Sequence, residues 1–284
     1  MKFKVRLLFI LIIIPTFFCQ KKSNPVDSVE DEFIYPISIG NSWDYKMTHY
    51  GVTIVPVISD SDTSYVYYDT LRADLNVTAD RSEIIDDTID TYVFKEFYQS
   101  NDFPEERRCE YYYKQDQNGL YWYGSKGSSS QMNPKAQNKT ALLGMLNPFF
   151  LDRYHRTNSG MLFQNDSLVL YVPPYLNLKY PLTFSLQWNY YNIGLLIDKR
   201  VNGMVNIEVP AGTFRCYEIQ WLFDIDRNGE WDDDFIRYDY ISSCGLIKRI
   251  KIFYFESVVV QSDTLISVPD TLTVEYVLTD YNLM

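Results

Sequence analysis

Three Asn-Gly dipeptides, at positions 118–119, 202–203 and 228–229, interrupt runs of residues that are rich in Thr, Val, Ile and Tyr. Asn-Gly suits the two central positions of a type I′ turn, whose twist matches that of two flanking antiparallel strands. β-Branched and aromatic residues are themselves enriched in strands. Three such turns in one chain therefore predict a succession of antiparallel hairpins.

The strand pattern covers most of the chain after residue 33. Near the C-terminus, apolar residues at 272, 274, 276 and 278 alternate with polar ones, as in a strand with one buried face. The one helical pattern is short and amphipathic, over residues 133–150. The sequence predicts an all-β, mainly antiparallel protein, a strongly curved sheet or open barrel with at most one or two short helices, in a single domain over 33–284. Four further runs have strand composition: 45–58, 64–78, 91–99 and 108–115.

Tyrosine is unusually frequent, with 25 Tyr against only 12 Gly. Its apolar ring and polar hydroxyl suit a sheet that has one face in the core and one in water. With a regular register about the Asn118-Gly119 turn, Tyr111, Tyr113, Tyr121 and Tyr123 would share one face. Such a set is either a cross-strand ladder that stabilises the sheet or the lining of a pocket for a lipid or sugar.

The N-terminus has the pattern of a secretion signal. Three basic residues precede an apolar run over residues 7–18, which as a helix would span roughly 18 Å and so cannot cross the ~30 Å core of a bilayer. Cys19 follows directly, in the position that bacterial lipoprotein processing leaves as a lipid-modified N-terminus. We therefore predict a signal peptide over 1–18 and lipidation of Cys19. Residues 19–32, which are polar and without periodicity, would form a flexible tether.

The charge of the chain limits its partners. It carries 26 Lys and Arg against 37 Asp and Glu, and three of the basic residues lie in the signal. Such an acidic surface repels phosphate groups, so nucleic-acid binding is not expected. Attachment to a bilayer would depend on the lipid at Cys19, and we expect a location in the cell envelope, anchored to the outer membrane on its periplasmic or surface side.

Two segments resemble a pattern found in uncharacterised exported bacterial lipoproteins. Residues 35–45, YPISIGNSWDY, are similar to the opening P-x-x-x-G-N-x-W-x-Y, and residues 209–219, VPAGTFRCYEI, to V-P-A-G-T-F-x-C-Y-x-I. A glycine-centred segment at 244–248 follows some thirty residues later. The resemblance implies a curved antiparallel sheet or open barrel and no established activity. In physical terms we expect the motif residues to build turns and deliver Trp43, Tyr45 and Phe214 into the core.

A candidate calcium loop lies at residues 224–234, DIDRNGEWDDD. Oxygen-bearing side chains at its first, third and fifth positions and Gly at the sixth match the first half of an EF-hand loop. Position 12 is Phe235, so the bidentate acid of that motif is absent. The alternative is an exposed hairpin tip between strands 217–224 and 235–242 with solvated carboxylates. The predicted ligands are the side chains of Asp224, Asp226, Asn228 and Asp232 and the backbone carbonyl of Glu230.

The cysteines and histidines allow little further chemistry. Cys109, Cys216 and Cys244 remain after Cys19, and a hairpin about Asn228-Gly229 places Cys216 near residue 241, so a Cys216–Cys244 disulfide would need a bulge. Only two histidines are present, which excludes a metal site with three imidazoles. We expect both His49 and His155 at the surface.

No recognised catalytic motif is present, so no catalytic residue is assigned. We expect a non-enzymatic envelope lipoprotein that binds a hydrophobic ligand, such as a lipid, or an envelope protein partner. One alternative is a structural or adhesive surface module stabilised by Ca²⁺. A second is a hydrolase acting on cell-surface polymers, which would need two inward-facing carboxylates in a cleft.

Overall fold

The computed structural model describes residues 33–56, 64–100, 107–128, 168–261 and 264–284. The predicted signal peptide, tether and short helix, together with Cys19 and His155, lie outside these residues. Within them the secondary structure is entirely β, and no helix is long and apolar enough to cross a bilayer. The twelve strands are β1 Ser42–Pro56, β2 Ser64–Ile85, β3 Ile89–Ser100, β4 Arg107–Asp116, β5 Gly119–Ser128, β6 Val169–Lys179, β7 Gln187–Ile193, β8 Leu195–Val209, β9 Gly212–Asp224, β10 Phe235–Ser242, β11 Gly245–Gln261 and β12 Thr264–Asn282.

All twelve strands belong to one antiparallel sheet in the order β6-β5-β4-β3-β2-β1-β12-β11-β10-β9-β8-β7. The sheet curves into a nearly closed barrel, with β1 and β12 paired at its centre and β6 and β7 at its edges, and the all-β prediction is confirmed. The edge strands β6 and β7 meet at a seam that is bridged by side chains. Trp188 Nε1 on β7 donates to the carbonyl oxygen of Leu176 on β6 at 3.0 Å, and Tyr175 packs edge-on against Tyr191.

Two of the three Asn-Gly dipeptides lie between strands as predicted, and one does not. Asn118 lies in the turn between β4 and β5 and Gly119 begins β5, whereas Asn228-Gly229 lies in the loop between β9 and β10. The prediction was wrong for Asn202-Gly203, which lies inside β8 where the register to β9 shifts between Val201 and Gly203. A bulge accommodates the extra residue there, and β8 turns into β9 only at Pro210-Ala211.

The motif segments meet in space. Trp43 donates its indole N–H to the carbonyl oxygen of Cys244 at 2.6 Å. Its ring lies so close to Gly245 that a Cβ there would be 2.7 Å from Trp43 Nε1. Asn41 is buried, and its side chain accepts a hydrogen bond from the backbone of Met284 at 2.8 Å. Trp43 and Asn41 thus connect β1 to the β10–β11 turn and to the C-terminal residue Met284. These motif residues therefore stabilise the fold.

The pairing of β4 with β5 determines which aromatic residues face inward. Tyr113 pairs with Trp122 and Lys114 with Tyr121, and the register shifts only beyond these pairs, between Tyr112 and Tyr113. Tyr111, Tyr113 and Trp122 therefore belong to the main core, whereas Tyr123 packs with Tyr112 on another cluster. The expectation that Tyr121 and Tyr123 would share a face with Tyr111 and Tyr113 was wrong, because the turn pairs Tyr113 with Trp122, so that alternation sends Tyr121 and Tyr123 to the other face.

Candidate functional site: a charged cavity in the barrel

The barrel interior contains a cavity of about 110 Å³. Its lining combines aromatic rings with ionisable side chains, and buried charges of this kind are tolerated only where they are paired. The ionisable groups are Glu96 on β3, Lys199 on β8, Asp239 on β10 and Arg249 on β11. The aromatic residues of the lining are Tyr35, Tyr45, Phe94, Tyr111, Tyr113 and Tyr276.

Asp239 is the centre of a buried ion-pair network. Arg249 donates to both of its oxygens, at 2.6 and 2.9 Å, and Trp221 Nε1 donates to Oδ2 at 3.0 Å. Arg237 approaches the same carboxylate at 3.4 Å and lies 3.4 Å from the centre of the Trp221 ring. Burial would raise the pKa of Asp239, but the two guanidinium groups hold that pKa below its usual range.

Lys199 is almost fully buried, at 1% exposed. Its ammonium donates to the backbone and side-chain oxygens of Asn177 on β6, both at 2.8 Å. It also lies 3.8 Å from the centre of the Trp221 ring and 4.3 Å from that of Tyr190. Burial lowers the pKa of Lys199 well below its usual value. Because Asn177 and Lys199 come from opposite sides of the seam, this contact also helps to close the barrel.

Lys251 is a further buried cation, at 3% exposed, and its ammonium lies 5.2 Å from the centre of the Tyr276 ring. Burial, together with the nearby Arg237 and Arg249, lowers the pKa of Lys251 well below its usual value. His49 on β1 is close enough for Lys251 to affect it. Burial and Lys251 lower the pKa of His49 to about 4. The expectation of a surface position for His49 was wrong, because it occupies an inward position of β1 and is 6% exposed.

Basic side chains outnumber carboxylates in this part of the barrel. Glu96 is the second acidic group, and burial raises its pKa while Arg249 opposes that rise. Four basic side chains occupy this part of the interior: Lys199, Arg237, Arg249 and Lys251. Among the described acidic residues, only Asp239 and Glu96 line the cavity or pair with these basic groups. An unbalanced buried cation is costly. Burial accordingly favours the neutral form of Lys199 and Lys251, and an added negative charge would favour their protonated form.

The sequence analysis did not identify this cluster, although a signal for it exists. Lys199 occurs in a run where Leu195, Ile197 and Val201 are the other inward-facing residues. Arg249 and Lys251 likewise follow the inward-facing Ile247 on β11. A charged residue at the apolar positions of an alternating strand is unfavourable unless it is paired. Such positions therefore indicate a polar interior site.

The predicted calcium ligands all lie at the end of β9 or in the β9–β10 loop, and none of them lines the barrel cavity. Asp224 ends β9 and is buried, whereas Asp226, Asn228 and Glu230 are exposed. Asp232 is partly buried, and its Oδ2 accepts the backbone N–H of Ile225 at 2.7 Å. Among the described residues, no group of three Asp, Glu, His or Cys side chains is already gathered as a metal site.

The described cysteines form no disulfide in the structure. Cys216 and Cys244 are both buried. Residue 241 pairs with Tyr217 instead of Cys216, so the predicted register was wrong by one residue. The bulge between Tyr240 and Ile241 alters only the pairing of β10 with β11.

No family model matches the chain, and no curated protein sequence matches it. Two solved structures are similar to it. One is from Bacteroides fragilis and is described as a "putative exported protein with YmcC-like fold"; it has 13% identity and a TM-score of 0.35. The other is described as a "putative lipoprotein" from Parabacteroides distasonis, with 12% identity and a TM-score of 0.32. Each alignment covers 89% of this chain and all of the other.

Proposed function

We propose that this protein is a non-enzymatic lipoprotein of the bacterial cell envelope, and that its barrel binds a hydrophobic ligand through an anionic group. The observation that carries the proposal is the cavity, in which aromatic rings surround Lys199, Arg249 and two carboxylates. Arg237 and Lys251 add two more cations next to it. A bound carboxylate or phosphate would pair with the guanidinium group of Arg249 and would favour the protonated, charged form of the two buried lysines.

The volume of the cavity determines how much of a ligand can enter it. Sites that enclose a whole drug-sized molecule have volumes of roughly 300–1,000 Å³, several times the 110 Å³ found here. The cavity therefore accommodates a headgroup, and the rest of an amphipathic molecule would lie outside it. Aromatic rings such as Tyr45 and Phe94 supply apolar contact beside the charged groups. This favours an acidic amphiphile over a purely apolar ligand.

The hydrolase alternative is the less favoured one. Glu96 and Asp239 both line the cavity, and their pKa values are displaced in opposite directions, as in an acid and nucleophile pair. However, both oxygens of Asp239 already accept hydrogen bonds from Arg249. The cavity is also too small to enclose a polymer segment. A carboxylate that is fully engaged in ion pairs is a poor nucleophile.

Ligand binding is tested with two lysines on opposite faces of β11. Lys251 faces the interior, whereas Lys248 pairs with Glu275 at 2.6 Å on the other face. A long-chain fatty acid or an alkyl phosphate should raise the melting temperature of the wild type and of Lys248→Met. In Lys251→Met we expect affinity to fall by roughly tenfold, the loss of one ionic contact. Equal affinity in all three proteins would contradict the assignment of the cavity.

The natural ligand is sought by purifying the protein from its membranes and analysing what co-purifies by mass spectrometry. An acidic lipid would support the proposal. A stoichiometric envelope protein with no lipid would instead favour a partner-binding role. The anchor is tested separately, because Cys19→Ser should move the protein from the membrane fraction to the soluble fraction. Retention of that variant in the outer-membrane fraction would contradict lipid anchoring at Cys19.

A further inference from the structure

We propose that the β9–β10 loop binds one Ca²⁺ ion through the side chains of Asp224, Asp226, Asn228 and Asp232 and the backbone carbonyl of Glu230. This site is separate from the barrel cavity and does not depend on what the cavity binds. Its chemistry is that of a hard divalent cation held entirely by oxygen atoms.

The strongest indication is an unsatisfied oxygen atom. Asp224 is 3% exposed, and among the described residues its Oδ1 has no hydrogen-bond partner. Its Oδ2 accepts the backbone N–H of Gly229 at 3.1 Å, so the carboxylate faces into the loop. Buried polar atoms nearly always have a partner, and a charged one without a partner is especially costly. A cation in the loop would provide that partner.

The backbone of the loop is folded tightly around Asp224. Gly229 has a φ angle of +89°, which allows the sharp turn that the sixth position of a calcium loop requires. Asp226 Oδ1 accepts the backbone N–H of Asn228 at 3.2 Å, and Asn228 Oδ1 accepts that of Glu230 at 2.7 Å. Each oxygen atom that accepts one hydrogen bond retains a second lone pair, which can coordinate a cation.

The loop is also held to the barrel at several points. The backbone N–H of Asp232 donates to the carbonyl oxygen of Phe223 at 2.7 Å, and the backbone N–H of Tyr254 on β11 donates to the carbonyl oxygen of Asp234 at 3.0 Å. The Arg227 side chain donates to Asn192 on β7. Because its ends are fixed, the loop loses little conformational freedom when an ion binds.

The ligand set selects Ca²⁺ over other metals. It contains three carboxylates, an amide oxygen and a backbone carbonyl, and neither His nor Cys, which disfavours zinc and copper. Mg²⁺ requires a near-ideal octahedron and gives up its water reluctantly, whereas Ca²⁺ accepts irregular sets of oxygens. The exposed Asp226 side chain must turn towards Asp224 on binding. Since Phe235 replaces the bidentate acid, we expect a dissociation constant of about 10⁻⁴–10⁻³ M, as in extracellular calcium modules.

The test compares two acidic loops of the same protein. After treatment with a chelator, the full chain is titrated calorimetrically with CaCl₂ and separately with MgCl₂, and its melting temperature is measured in each. At a Ca²⁺ concentration 100 times the dissociation constant, the melting temperature should rise by roughly 5–10 °C. Asp226→Asn should abolish this rise. The double variant Asp86→Asn, Asp87→Asn, in the exposed β2–β3 turn, should retain it.

A merely structural role of Asp226 is distinguishable from a ligand role. If Asp226 only caps the turn at Asn228, its variant would melt at a lower temperature in chelator yet respond to Ca²⁺ as the wild type does, and the proposal would be wrong. It would also be overturned by the absence of calorimetric heat up to 10 mM CaCl₂, or by equal responses to Mg²⁺ and Ca²⁺. Sensitised Tb³⁺ luminescence through Trp231, lost in Asp226→Asn, would add direct support.

Discussion

Replacing Asp239 with Asn should be among the most destabilising substitutions in this barrel. The variant keeps the shape of the side chain but removes the charge that Arg249 and Arg237 share. Hydrogen bonds to charged groups contribute about 1.5–3 kcal/mol each, and Asp239 accepts two from Arg249 and one from Trp221. Removing one partner of a buried ion pair typically costs about 3–5 kcal/mol. We expect that loss here, a large part of the ~5–15 kcal/mol that stabilises a typical domain.

The assay is equilibrium unfolding in urea, which leaves ionic interactions unscreened, with tryptophan fluorescence as the signal. Asp44→Asn is the matched control, because Asp44 is an exposed carboxylate that accepts a hydrogen bond from Asn76 at 2.7 Å. That control should change the free energy of unfolding by less than about 0.5 kcal/mol. If Asp239→Asn lost less than 1 kcal/mol as well, the network would not be the stabilising unit that its distances indicate.

The pH dependence of Asp239→Asn provides a second check. Because the pKa of Asp239 is lowered in the folded protein, its stabilising contribution is complete above the pKa of the unfolded chain, about 3.9. It is lost as the pH falls below that value, since the unfolded chain takes up the proton first. The difference between wild type and Asp239→Asn should therefore be constant from pH 7 to 5 and diminish below pH 4. A difference that stayed the same at pH 3 would contradict the ion-pair explanation.

Two further substitutions test the packing and the buried histidine. Gly245→Ala should lower the free energy of unfolding by more than about 2 kcal/mol, because a left-handed backbone conformation costs a non-glycine residue roughly 1–2 kcal/mol and Trp43 must also move. Gly194→Ala is the control, because Gly194 also has a positive φ but has nothing within 4 Å of an added Cβ, so it should show the backbone cost alone. Equal losses of unfolding free energy for the two variants in urea would refute the role of Trp43. Burial and Lys251 lower the pKa of His49 to about 4, so the stabilising contribution of neutral His49 is complete above pH 6.5 and is lost as the pH falls towards 4. His49→Phe should reduce the difference in unfolding free energy between pH 7 and pH 5 by about 2 kcal/mol. If that difference is the same in the variant as in the wild type, other groups are responsible for it.

Much of the local architecture could be predicted from the sequence because it is written in neighbouring residues. The alternation at Leu272, Val274, Tyr276 and Leu278 corresponds to four buried positions on β12. Asn118-Gly119 marks a true hairpin. The same reasoning failed at Asn202-Gly203, because pairing along the whole of β8 and β9 outweighs one favourable turn dipeptide and converts it into a bulge.

The sequence by itself determined the class of fold and the acidic β9–β10 loop, since both depend on residues close together in the chain. Only the tertiary structure decided the interior site, because closure of the barrel brings Glu96, Lys199, Asp239 and Arg249 to one cavity from four strands. Bulges moreover change the side to which later residues of a strand point, and a single shift reverses an entire face. Local alternation indicates that single charged residues occupy inward positions of their strands, but only the closed sheet determines which of these residues meet.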